Sequence, residues 1–132
     1  MPYRIDTFTL PAAARPEFER RSLQTIALLR QQPGFIRDTW FEKIAGNGSV
    51  DVVTMVEWRD EASIAAAGAA VRAMHAANGF DATTFSREHG IVESKAVYES
   101  RDVSGDSDGA KSGNKAWQLR ASAWCFRTRN SC

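Results

Sequence analysis

At 132 residues, with 43% apolar and 25% charged side chains, the chain is sized for one domain that builds its own core without metals or disulfides. Net charge is +1, yet residues 1–99 hold 11 Lys and Arg against 13 Asp and Glu, while residues 100–132 hold 6 against 3, so the first hundred residues offer no basic field for nucleic acid. No apolar run is long enough to span a membrane, the polar start MPYRID is no signal peptide, and both cysteines (Cys125, Cys132) lie near the C-terminus, so a cytoplasmic protein with no membrane partner is expected.

Residues 3–10, YRIDTFTL, alternate as a strand does. Tyr3, Ile5, Thr7 and Thr9 share one face, and Arg4, Asp6, Phe8 and Leu10 share the other, which alternation points toward the helices. Pro11 ends the strand because it cannot extend a sheet ladder. A helix is predicted from about Ala12 or Ala14 to Gln32, with Pro16 in its first turn and a buried stripe of Phe18, Ser22, Ile26 and Leu29; Pro33-Gly34 stops it.

Residues 35–44 predict a second strand, with Phe35, Arg37, Thr39 and Phe41 opposite Ile36, Asp38, Trp40, Glu42 and Ile44. Asn47-Gly48 is a hairpin signal, since both residues accept positive φ. The third strand, 50–58, sets Val50, Val52, Thr54, Val56 and Trp58 on one face and Asp51, Val53, Met55 and Glu57 on the other. At Arg59-Asp60-Glu61 the period changes. Asp60 caps a helix and Glu61 sits in its first turn; Ile64, Ala67, Val71 and Met74 then recur at helical spacing. The connector GFDATTFSREHG carries Phe80 and Phe85, with room for a short helical turn, and residues 90–98 supply the last strand.

The order β-α-β-β-α-β predicts an α+β, ferredoxin-like fold: an antiparallel sheet with both helices on one face. The opposite face, read as carrying Val50, Val52, Val56, Tyr3 and Ile5, needs a cover, and a second copy of the chain supplies it; a homodimer is expected. The domain is placed at 1–99. Residues 100–132 are read as a polar Ser/Gly/Asp/Lys linker and a C-terminal extension, either disordered, an arm onto the partner, an added strand, or a non-native end.

The junction of third strand and second helix gives the candidate site, a corner holding Trp58, His75 and Asn78. A neutral His75 is suited to taking a proton from a bound ligand; the plain alternative is a histidine at the rim of a helix face. Asn78 either anchors a carbonyl or developing oxyanion or, standing before Gly79, caps the helix. Trp58 either stacks on a flat ligand or is core. Asp6 and Phe8 are the candidate substrate-binding residues on the first strand; Asp6 is a carboxylate heading toward the helices, or one that pairs with Arg4 or Lys95. His89 reads as ordinary loop. No phosphate loop, serine-nucleophile motif or carboxylate–histidine metal spacing occurs, and no metal is expected.

The QQPGF that closes the first helix, the hairpin, VVTMVEW ending at Trp58, and the helix opening RDEAS together resemble the antibiotic biosynthesis monooxygenase family over about residues 3–99. The resemblance implies a dimeric α+β barrel with a cavity between sheet and helices in each subunit. It also implies either oxygen insertion into aromatic phenols without metal or flavin, or oxidative opening of haem. Trp58 matches the family's tryptophan at the end of the third strand. The asparagine that quinone-forming members carry four residues earlier is Thr54 here, and their tyrosine six residues later is Ile64. Among haem-degrading members the first-strand asparagine matches Asp6, the haem-ligating histidine falls within one residue of His75, and the helix tryptophan lines up with Ala66. The expectation is a cofactor-independent monooxygenase acting on a small aromatic or polyketide-like compound, with His75 as base, Asn78 as anchor and Trp58 as wall. The alternatives are a haem-binding or haem-degrading protein with His75 as axial ligand, and a non-catalytic dimeric barrel that binds a small molecule.

Overall fold

The computed structural model describes residues 1–44 and 46–103. Within Met1–Ser100 the chain runs β1 (Pro2–Pro11), a 3-10 turn (Ala12–Ala14), α1 (Arg15–Leu29), β2 (Phe35–Ile44), β3 (Ser49–Trp58), α2 (Glu61–Ala77), α3 (Ala82–Glu88) and β4 (Val92–Glu99). The four strands form one antiparallel sheet in the order β2-β3-β1-β4, the ferredoxin-like arrangement expected. Both cysteines and the extension expected at 100–132 lie, apart from residues 100–103, outside the described residues. Among the described residues no helix is long and apolar enough to cross a membrane.

The element bounds follow local chemistry. The expected start near Ala12 resolves into a 3-10 turn, and α1 begins at Arg15 with Pro16 in its first turn, where a missing N–H costs no helical bond. It ends earlier than expected because Gln31 and Gln32 bond to Leu28 and Leu29 carbonyls, the tight i→i+3 closure of a last turn. Asp60 caps α2 as predicted: its Oδ1 accepts from the Ser63 backbone N–H (2.8 Å) and hydroxyl (2.6 Å). The hairpin between β2 and β3 forms, but only Gly48 takes positive φ (81°). The connection at 45–48 is longer than the two-residue turn in which Asn47 would also need it.

Two expectations about faces are corrected. Register pairs Leu10 with Val50, Phe8 with Val52 and Arg4 with Val56, so those valines share the helix-side face of β1. They are core, with Val50, Val52 and Val56 all buried, and are not part of the outer face. That outer face carries Tyr3, Ile5, Val53, Met55, Phe41 and Tyr98 instead. A bulge between Phe35 and Arg37 gives β2 one extra residue and reverses parity there, bringing Phe35 opposite Trp58 rather than onto the face of Phe41.

The core beneath the helices is split in two. Leu10, Ala14, Phe18, Val50, Val52 and Ile91 form one cluster, flanked by Phe8, Trp40 and Phe85. Val56, Trp58 and Ala67 form the other, flanked by Leu29, Phe35 and Ile64. Each fully buried side chain such as Leu10 or Val52 contributes about 1.5–3 kcal/mol by leaving water. Gly34 binds the second cluster to the start of α2. At φ 86° it brings the loop against Ser63, and its carbonyl accepts from Arg59 N–H at 2.8 Å.

Candidate active site

A cavity of about 380 Å³ lies between the sheet and the helices, and its walls come from both core clusters. That volume is in the range of small-molecule sites. Phe8, Phe18 and Trp40 make one aromatic wall: Phe8 meets Phe18 edge-on at 4.9 Å, and Phe18 lies 5.8 Å from Trp40. Trp58 closes the opposite end. It is 2% exposed and stands perpendicular to Phe35 at 5.8 Å, so it is at once core and cavity wall.

His75 is at the other end of α2 from Trp58. Fourteen residues of helix separate Glu61 from His75, roughly 21 Å of axis, so the two residues do not meet in a corner as expected. They share the cavity along its length instead. The end of α2 fixes the imidazole's surroundings. Phe80 N–H bonds to the His75 carbonyl (2.8 Å) and Gly79 N–H to the Ala76 carbonyl (3.2 Å), with Gly79 at φ 63°. This double closure is the Schellman turn, which also brings the side chains of its first and last residues together. Phe80 accordingly packs edge-on against His75 at 5.0 Å, and Arg21 of α1 covers the Phe80 ring at 4.2 Å. Phe85 of α3 continues the stack, 5.4 Å from Phe80.

Among the described residues no side-chain hydrogen bond engages the His75 ring, which leaves both nitrogens available to a ligand. Burial pushes its pKa below 6.5, and the charges of Lys95 and Arg21 push the same way, so it is neutral at neutral pH. Asn78 takes the other role considered for it. It is exposed, lies outside the cavity walls, and forms the cap of α2 through its backbone N–H to Met74 and Ala76.

Asp6 and Phe8 both face the cavity, as alternation predicted. The Asp6 carboxylate accepts from Arg4 Nε at 2.6 Å, and burial raises its pKa despite Arg4 and Lys95. Glu93 and Lys95 reach the cavity from β4, which pairs Lys95 opposite Asp6. Sequence reasoning offered Lys95 as a partner of Asp6 and a short helical turn around Phe85, but it placed neither α3 nor Glu93 on the cavity. Asp81, whose carboxylate caps α3 through Thr84 N–H (3.0 Å), was the available signal for α3. His89 is structural: its ring bonds to the Phe85 carbonyl at 2.9 Å.

An antiparallel βαββαβ sheet with an apolar, aromatic-walled cavity under its helices defines an α+β cavity protein of the ferredoxin-like class. The chain belongs to the antibiotic biosynthesis monooxygenase family, whose sequence pattern matches residues 1–78. No protein of curated function matches it. Among solved structures it is similar to SnoaB from Streptomyces nogalater, described as a cofactor-independent oxygenase, at 22% identity and TM-score 0.54, covering 80% of this chain and 97% of that one. It is similar to MhuD from Mycobacterium tuberculosis, described as a heme-degrader, at 24% identity and TM-score 0.53, covering 78% of this chain and 99% of that one. A dimeric ferredoxin-like protein from an uncultured marine organism aligns at 13% identity and TM-score 0.52, over 76% of this chain and 97% of its own. At these identities the likeness establishes the fold, and the family match ties the chain to monooxygenase-type proteins.

Proposed function

We propose that the chain is a cofactor-independent monooxygenase acting on a small, flat aromatic compound of polyketide type. The observation that carries this reading is the aromatic-walled cavity with an unbonded, neutral imidazole at one end. A flat phenol lies between the Phe8–Phe18–Trp40 wall and Trp58. His75 takes the proton of the phenol or its enol, and the cations Lys95 and Arg21 stabilise the resulting anion. The electron-rich carbon then reacts with dioxygen: a CH2 group becomes a carbonyl, one oxygen atom staying on carbon and the other leaving as water with the two hydrogens. Asp6 accepts a hydrogen bond from a donor on the substrate.

The test is oxygen uptake with 1,8-dihydroxyanthrone, read against quinone absorbance. Wild type consumes one dioxygen per quinone, and His75→Ala lowers the rate by about a hundredfold or more. Unchanged uptake in His75→Ala removes the base assignment.

A second reading, haem binding, is favoured by the same imidazole, since neutral histidine is the form that ligates iron, and by Arg4, Arg21 and Lys95 on the walls, which suit propionates. Haem would supply the iron chemistry of oxygen activation. A Soret shift on titration that disappears in His75→Ala would put this reading first.

A homodimer also belongs to the proposal. The outer sheet face exposes Phe41, Val92 and Tyr98 around Ile5, Val53 and Met55, and one of the similar folds is described as dimeric.

A further inference from the structure

Four cations line the cavity: Arg4, Arg21, Arg72 and Lys95. Three have carboxylate partners. Arg4 bonds to Asp6 at 2.6 Å, Arg21 to Glu17 at 3.2 Å, and Lys95 lies 3.7 Å from Glu93. The cavity's remaining acid, Asp38, is engaged by Arg30 through both carboxylate oxygens, at 2.7 and 2.9 Å. Arg72 stands apart, with no ion pair or hydrogen bond among the described residues.

Its position is also built. Gly68 and Arg72 are four residues apart on α2, and both line the cavity. A Cβ at position 68 would stand 3.3 Å from Arg72 Nη1, so the guanidinium lies back over the bare glycine on the cavity side of the helix. A glycine in a helix interior weakens the helix, and here it leaves the space the guanidinium occupies. His75 follows Arg72 by three residues, one turn further along the same wall.

We propose that Arg72 is a specificity-determining residue that binds a carboxylate on the substrate, so that the preferred compounds are aromatic acids rather than neutral phenols. The planar guanidinium pairs with a carboxylate through two parallel N–H···O bonds. With its guanidinium lying back over Gly68, seven residues before His75 and roughly 10 Å along the helix axis, Arg72 holds the acid group at the end of the flat ligand away from the atom His75 deprotonates. This rests on the aromatic-ligand reading of the cavity.

The test compares 6-hydroxy-2-naphthoate, whose hydroxyl and carboxylate stand at opposite ends of the ring system, with 2-naphthol, with binding followed by quenching of tryptophan fluorescence in wild type, Arg72→Gln, Arg72→Lys and Lys95→Gln. Wild type binds the naphthoate at least about tenfold more tightly than naphthol. Arg72→Gln brings the two within about twofold by weakening the naphthoate alone, Arg72→Lys keeps part of the preference, and Lys95→Gln keeps nearly all of it. Arg72 is exposed, so its variants keep the wild-type melting temperature. Equal binding of both compounds by wild type, or a preference that survives Arg72→Gln and is lost in Lys95→Gln, overturns the assignment while leaving the aromatic cavity standing. Binding of neither compound overturns both.

Discussion

Phe80 meets His75 edge-on, 5.0 Å between ring centres, because the two residues close the same turn at the end of α2. The imidazole is thereby held by its own chain segment, six residues long from His75 to Phe80, while its nitrogens stay unbonded.

The protonation of this ring sets the expected pH dependence. A general base works only when neutral, so in the role proposed for His75 turnover falls as pH drops through its pKa. That pKa lies below 6.5 because burial, then Lys95, then Arg21 oppose the charged form. The acid limb of kcat/KM is therefore centred below 6.5, and Lys95→Met moves it upward by removing one opposing charge. A limb unmoved by Lys95→Met would separate the titrating group from His75.

Gly34 and Gly48 both take positive φ, at 86° and 81°, yet their substitution by alanine has different consequences. A Cβ at Gly48 meets open space, and only the backbone conformation is penalised, at about 1 kcal/mol. A Cβ at Gly34 would overlap Ser63 Oγ and Cβ at the start of α2. Overpacking adds to the backbone term, for about 2–4 kcal/mol in all. Urea denaturation of the two variants measures the difference, and equal midpoints would show that the loop yields at no cost.

Asp6 gives a stability that depends on pH. Burial raises its pKa above 3.8 in the folded protein, although Arg4 and Lys95 pull it down. The folded state thus favours the protonated acid more than the unfolded chain does. Its stabilising contribution is fully present below about 3.8 and is lost as pH rises through the raised folded value. Asp6→Asn is neutral throughout and lacks this term. The melting temperature of wild type relative to Asp6→Asn therefore improves as pH falls from 7 toward 4, and a difference that stays flat would place Asp6 in water.

The outer sheet face yields a test of assembly. Val53 lies there between Thr7 and Phe41, away from both core clusters. Val53→Glu places a charge in the middle of the proposed interface while leaving the core intact. Light scattering at micromolar concentration should give twice the chain mass for wild type and the single-chain mass for Val53→Glu, with the helix signal of circular dichroism retained. A wild-type chain that is already monomeric defeats the homodimer.

Most of the element order was legible because period, caps and breakers agree locally. Asp60 with Ser63, Pro16 in the first turn and the Pro33-Gly34 stop each act within a few residues. The faces were less legible. Alternation groups Val50, Val52 and Val56 together, but which side of the sheet they meet depends on pairing with Leu10, Phe8 and Arg4, 40, 44 and 52 residues away. The bulge at Ile36 is likewise a property of two strands, not one. At the site, Asp6 and Phe8 of β1 and Ile64, Ala67, Val71 and His75 of α2 followed from periodicity, while Met74 is not among the lining residues and Gly68 and Arg72 went unread. The distance between Trp58 and His75 did not follow from it, since strand end and helix start adjoin in sequence while the histidine stands at the helix's far end. Asn78 misled for the opposite reason: three residues beyond His75, it is already turned outward by the cap.

The division of the core has a consequence for how such a chain diversifies. The Trp58 end of the cavity is shaped by Phe35, Ile64 and Leu29, which come from three separate elements. The His75 end is set by the consecutive turn from His75 to Phe80, with Arg21 of α1, Phe85 of α3 and Lys95 of β4 around it. Substitutions at Phe35, Ile64 or Leu29 remodel the first end without touching that turn, so descendants of this sequence can change the shape of the cavity while keeping the imidazole where it is.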